Sequence, residues 1–196
     1  MPESAPDRES PTAIHFPFTH RQATRFRHGP LADEWVRQYP SLFDAANLRR
    51  RRDRPQAEFL KWRSALFIHQ SLGRQCLIDD YLDPAQGGRH AQFRTRVGDK
   101  VQRLMRRHPA LAPALFVFDP DGSDWFLASV QAHDEAPDAT RRRFLAQLRE
   151  LTGGRLLILQ PDPIDAPAPT PAPRGRDGSP GRGRRRPSAS LPAVAA

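Results

Sequence analysis

Ala114-Leu115-Phe116-Val117-Phe118-Asp119-Pro120-Asp121-Gly122-Ser123-Asp124-Trp125-Phe126-Leu127-Ala128-Ser129-Val130-Gln131 decides the reading of the fold. Ala114 to Phe118 is a short apolar run of the kind found in buried strands. Asp119-Pro120-Asp121-Gly122 places proline and glycine in a four-residue turn, and Trp125 to Gln131 is rich again in strand-forming residues. Two such runs around such a turn predict a β-hairpin.

Working outward, Pro137 to Thr152 has helical spacing, with Phe144, Leu145, Leu148 and Leu151 inward, and Gly153-Gly154 ends it. Arg155 to Gln160 is a nearly all-apolar strand. On the other side, Arg89 to Arg107 repeats apolar residues at Phe93, Val97, Val101, Leu104 and Met105, which predicts one helix, and Cys76 to Tyr81 predicts a short strand. Pro55 opens a helix that runs to Ser71, with an apolar face of Phe59, Trp62, Leu66 and Leu72 and a stop at Gly73. Leu31 to Gln38 and Ser41 to Arg50 are shorter helices, the second with Ser41 and Asp44 as a capping pair. Helices, strand, helix, hairpin, helix, strand make an α/β domain with a mixed sheet flanked by helices.

The domain expected from this pattern is 13–160, after a polar N-terminus, 1–12. The segment 161–196 is rich in proline and glycine, carries an arginine cluster at Arg182, Arg184, Arg185 and Arg186, and has almost no bulky apolar side chains. Such a composition buries too little surface to offset ordering entropy and is expected to be disordered.

Composition narrows the function. The 196 residues carry 31 Lys and Arg against 22 Asp and Glu, a formal charge of +9, which suggests a polyanionic partner. Lys61 and Lys100 are the only lysines, a bias that GC-rich codon usage explains as well as phosphate recognition does. A single cysteine, Cys76, excludes an internal disulfide framework and Cys-based zinc clusters. No apolar run approaches the roughly 18 residues of a membrane span, and the first residues lack a secretory core. A cytoplasmic, bacterial protein is expected.

The element order and the hairpin resemble the PD-(D/E)XK nuclease superfamily, in particular its VRR-NUC-like branch, over roughly Gln56 to Gln160. The resemblance implies a restriction-endonuclease-like fold. In that family the first hairpin strand opens with Pro-Asp, the second ends Glu-x-Lys, and a glutamine stands near the start of the next helix. The carboxylates hold Mg²⁺ beside the scissile phosphate, where the metal activates water and screens developing charge. The corresponding positions here are Ala114, Ser129 and Gln131, with Arg141 at the helix start. Alanine offers no ligand, and a hydroxyl with an amide cannot replace a carboxylate and a lysine. The resemblance therefore implies a pseudonuclease without metal or cofactor.

An active metal-dependent DNA or RNA phosphodiesterase with displaced ligands is the alternative, and it would need Mg²⁺. Its best ligand is Glu58, which also reads as an exposed acid favoured at a helix N-terminus. Asp119, Asp121 and Asp124 belong to the turn, and Asp79-Asp80 on a strand would point to opposite faces. His133-Asp134-Glu135 form an ionisable loop. Nucleic acid would be held by Arg49, Arg50, Arg51 and Arg52, expected in an exposed linker, and by Arg141, Arg142 and Arg143, expected at a helix start. A non-catalytic protein-interaction module is the remaining reading.

Overall fold

The computed structural model describes residues 13–132 and 137–165. The expected disordered N-terminus 1–12, the loop residues His133, Asp134 and Glu135, and the arginine cluster at 182–186 lie outside the described residues. Within the described residues, five strands form one mixed sheet: β1 (Ala13–Phe18), β2 (Gln75–Ile78), β3 (Leu115–Phe118), β4 (Trp125–Val130) and β5 (Leu156–Pro163). Their order is β1-β5-β4-β3-β2, with β2, β3 and β4 antiparallel and β4, β5 and β1 parallel.

Among the described residues, seven α-helices accompany the sheet: α1 (His20–His28), α2 (Pro30–Gln38), α3 (Ala45–Asp53), α4 (Pro55–Leu72), α5 (Gly88–Arg96), α6 (Asp99–Arg107) and α7 (Ala139–Leu151). Strand alternation sends side chains to opposite faces and produces two cores. One face meets α4 and the helices over it, where Phe26, Trp35, Phe43, Phe59 and Trp62 pack with Ile78, Leu115 and Ala128. Phe43 stacks on fully buried Trp62 at 4.3 Å between centroids. The other face meets α5, α6 and α7 through Phe93, Met105, Phe144 and Leu148, packed on Phe116 and Leu127. Three layers result, with the sheet in the middle.

Several expected boundaries move, each for a local reason. Asp44, not Ser41, caps α3, in a reciprocal box with Asn47. The helix expected over 89–107 is two helices. Val97 is extended, and the Gln102 side chain donates to the carbonyls of Arg94 and Val97, which satisfies the acceptors that the break frees. The strand expected to reach Tyr81 stops at Ile78, because Asp79 has φ 55° and a short 3₁₀ turn follows at Asp80–Leu82. β5 runs past Gln160 to Pro163, its register with β1 pairing Phe16 with Pro161 and Phe18 with Pro163. Leu72 and Leu151, expected inside, are 55% and 39% exposed at their helix ends. Gly73 ends α4 in the left-handed conformation, as its position after the apolar run suggests.

Candidate functional site

One end of the sheet collects most of the chemistry. Ile78 pairs with Leu115 and Leu115 with Ala128, so these three lie in one row across β2, β3 and β4. The next residue on each strand, toward this end, is Asp79, Ala114 or Ser129. The Asp79 N–H still donates to the Ala114 carbonyl at 2.9 Å. Asp79 is the one described non-glycine residue with positive φ, a conformation that persists only when its surroundings hold it.

Charges hold it from the α4 side. Lys61 Nζ lies 2.5 Å from Asp79 Oδ2 and 3.0 Å from Glu58 Oε1. Glu58 is 2% exposed, and the Arg50 guanidinium stands 4.0 Å from its other oxygen. Burial alone would lower the Lys61 pKa, but the Asp79 and Glu58 carboxylates outweigh it and raise the value. Two carboxylates, one ammonium and one guanidinium thus form a compact, internally neutralised group beneath Asp79. Arg50 also donates to the Ile78 carbonyl at 3.3 Å, tying α3 to the end of β2.

A second cation stands on the α7 side. Asp138 caps α7 by accepting the Arg141 N–H at 2.7 Å. The Arg141 side chain turns back to the sheet, where Nη2 donates to Ser129 Oγ at 3.3 Å and to the Val130 carbonyl at 3.4 Å. Ser129 is fully buried. Gln131 is 7% exposed, one residue beyond the strand, and its N–H donates to the Leu159 carbonyl.

The candidates drawn from the sequence fall into distinct places. Ala114 packs against the α4-side core, whereas Ser129 faces Arg141 on the other side, so the two do not share a face. Glu58 is buried in an ion network, where the ordinary expectation was an exposed helix acid. Arg49 to Arg52 belong to α3 and are not a linker. Arg51 donates to the Phe26 carbonyl at 2.9 Å and lies over the Phe26 ring, while Arg49 and Arg52 are exposed. Arg142 and Arg143 are also exposed. At the opposite end of the hairpin, Arg74 pairs with Asp119 and Asp124, Arg155 pairs with Asp124, and Asp121 accepts from the Ser123 N–H, so this turn is a pinned corner.

Sequence reasoning missed Lys61 and underrated Asp79. Lys61 had a signal, because it stands three residues after Glu58 on a helix and is one of two lysines in the chain. Nothing local marked Asp79 as a strand end. Among the described residues, no group of three or more His, Cys, Asp or Glu side chains could hold a metal ion. No helix among them is long and apolar enough to cross a membrane. No family model, curated protein or solved structure matches the chain.

Proposed function

We propose that this chain is a catalytically degenerate, nuclease-like α/β domain that binds nucleic acid through arginines gathered at one end of its sheet. The observation that carries the reading is the convergence of two arginine segments far apart in sequence. Arg50 anchors the 49–52 segment on the last carbonyl of β2, and Arg141 anchors the 141–143 segment on the last carbonyl of β4. Only β3 separates those strands, a span of about 10 Å at ordinary strand spacing. The anchored members fix position, and exposed Arg49, Arg52, Arg142 and Arg143 are left to meet phosphates.

The degenerate half of the reading rests on what occupies the row. Ala114, Ser129 and Gln131 supply no carboxylate, and the two carboxylates nearby, Glu58 and Asp79, already share the Lys61 ammonium. The order α4-β2-β3-β4-α7-β5, with α5 and α6 inserted between β2 and β3, supports the restriction-endonuclease-like reading of the fold: a helix, three antiparallel strands, a helix and a parallel strand.

The test measures affinity for duplex DNA against salt. Replacing Arg49, Arg52, Arg142 and Arg143 by alanine is expected to weaken binding and to reduce the slope of log K on log salt by roughly 3 to 4, about 0.9 for each lost phosphate contact. No cleavage is expected with Mg²⁺ or Mn²⁺. EDTA-sensitive cleavage abolished by Glu58→Gln would establish the active phosphodiesterase instead. Absence of salt-dependent binding would leave the protein-interaction module.

A further inference from the structure

A cleft of about 410 Å³ opens at the same end of the sheet, between the end of β2 and the segment that leads from α6 into β3. Its walls include Asp79, Leu82, Arg106, Pro109, Ala112 and Pro113. The apolar floor is stiff. Pro113 is buried, and its carbonyl accepts from the hydroxyl of fully buried Tyr81. Arg106 stands on one wall, steadied by Gln102 Oε1 at 3.2 Å. Asp79 stands on another, with one carboxylate oxygen on Lys61. Asp83 also lines the cleft, but its carboxylate is engaged by the Ala85 N–H and the Gln86 side chain.

We propose that this cleft takes one unpaired nucleotide of the bound nucleic acid, which makes single strands or strand ends the ligand class. The assignment rests on the reading of the domain as a nucleic-acid binder. Volume is the first argument: the cleft lies at the small end of the range of ligand sites, large enough for a single nucleotide and too small for a base pair. Chemistry is the second. Leu82, Pro109 and Pro113 offer apolar surface to a base face, and Arg106 offers a phosphate a cation. The second Asp79 oxygen accepts N–H groups from a base edge. A free carboxylate would repel the strand, but Lys61 neutralises this one. Guanine presents two adjacent N–H donors on its Watson–Crick edge, and that edge is open only when the base is unpaired. The left-handed backbone of Asp79 fits a residue held in place for a contact.

Fluorescence anisotropy with a guanine-containing 12-nucleotide single strand, an oligo-dT of equal length and a blunt duplex tests the assignment. Ala112→Phe fills the cleft from a backbone conformation open to any residue (φ −58°, ψ 144°). It is expected to weaken single-strand binding about tenfold, the scale of one lost base contact, while duplex binding stays within twofold. Arg106→Gln, at an exposed position, is expected to lower the single-strand salt slope by about 0.7. It also serves as the readout if Ala112→Phe does not fold. Asp79→Asn, which tolerates the same backbone, is expected to remove the preference for guanine over thymine. Unchanged single-strand binding in Arg106→Gln and in folded Ala112→Phe, or an equal loss on the duplex, overturns the cleft assignment alone. If the wild-type chain binds neither form at low salt, the nucleic-acid reading falls and takes the cleft with it.

Discussion

Replacing Lys61 by methionine keeps the length and apolar stem of the side chain and deletes its charge. In the native protein the ammonium bridges Asp79 and Glu58, and Glu58 has a side chain only 3% exposed. After the substitution Glu58 keeps Arg50 at 4.0 Å as its nearest cation, a distance too long for a hydrogen bond. Removing one partner of a buried pair costs about 3 to 5 kcal/mol, because the remaining charge stays desolvated. Lys61 is itself 24% exposed, so water can enter and the cost here is about 2 to 3 kcal/mol. For a folded unit of this size that lowers Tm by about 5 to 10 °C. Glu58→Gln in the same chain removes the stranded charge, so the double variant is expected within about 1 kcal/mol of wild type. Urea unfolding of the four proteins of this cycle measures the coupling. The pH dependence adds a second check. The folded Lys61 pKa is raised, so its stabilisation is complete below the ordinary lysine value of about 10.4 and is lost as pH climbs through the folded value. The gap between wild type and Lys61→Met is expected to be constant from pH 7 to pH 10 and to narrow above. A single variant within about 0.5 kcal/mol of wild type, or additive effects in the cycle, would refute the network.

At the hairpin corner, Arg74→Ala removes the partner of Asp119 and Asp124 and a cation 5.2 Å from the centre of the Phe126 ring. A Tm loss of about 2 to 4 °C is expected, since Arg74, Asp119 and Asp124 keep 21%, 24% and 45% of their side chains exposed and water partly replaces the lost contacts. The Asp124 pKa is lowered first by the Trp125 N–H and then by Arg74, so its contribution exists above the ordinary carboxylate range and is lost as pH falls through the folded value. The acid limb of the stability curve is therefore expected to be shallower in Arg74→Ala, which thermal scans between pH 2 and pH 6 would show. Gly122 has φ 76°, and a Cβ there would lie 2.7 Å from an Arg96 nitrogen. Gly122→Ala is expected to destabilise by about 1 kcal/mol, mostly from the backbone because the arginine tip can move. Burial pushes the Cys76 thiol far up, and a buried neutral thiol is a poor nucleophile. Ellman's reagent at pH 8 is expected to label the unfolded chain and to leave the native one unmodified.

The elements legible in the sequence were those whose pattern is local and redundant. The hairpin announced itself through Asp119-Pro120-Asp121-Gly122 between apolar runs, and α4 through Pro55, a broad apolar face and Gly73. The elements that stayed hidden depend on distant partners. β1 is a strand because β5 lies beside it, and Ala13 to Phe18 show no pattern that demands this pairing. The apolar spacing from Phe93 to Met105 runs through the α5–α6 break, and only the Gln102 side chain, folded back on two carbonyls, reveals the interruption. Candidate site residues divide in the same way. The hairpin positions Ser129 and Gln131 were found by counting along a strand. Glu58 is legible on its helix with Lys61 three residues on, but its burial in an ion network depends on Arg50 and Asp79, residues that only the tertiary fold brings around it.

The burial of Glu58 decides how the alternative to a binding protein should be tested. Glu58 and Asp79 both reach toward one point, and the Lys61 ammonium occupies it, 3.0 Å from one carboxylate and 2.5 Å from the other. A metal entering this space must displace the ammonium and break two charge-assisted contacts, and the lysine side chain, only 24% exposed, has little room to retreat. Lys61→Met removes that competitor and leaves the carboxylates. Under the degenerate reading, millimolar Mn²⁺ is expected to leave wild-type stability unchanged and to raise that of Lys61→Met, by RT ln(1 + [L]/Kd), which at one hundred times Kd is about 2.7 kcal/mol. Equal stabilisation of both proteins would mean that metal reaches the carboxylates with Lys61 in place. The lysine would then accompany a metal and would not substitute for one. The same measurement that weighs a salt bridge therefore separates a lysine that stands in for a metal from one that stands beside it.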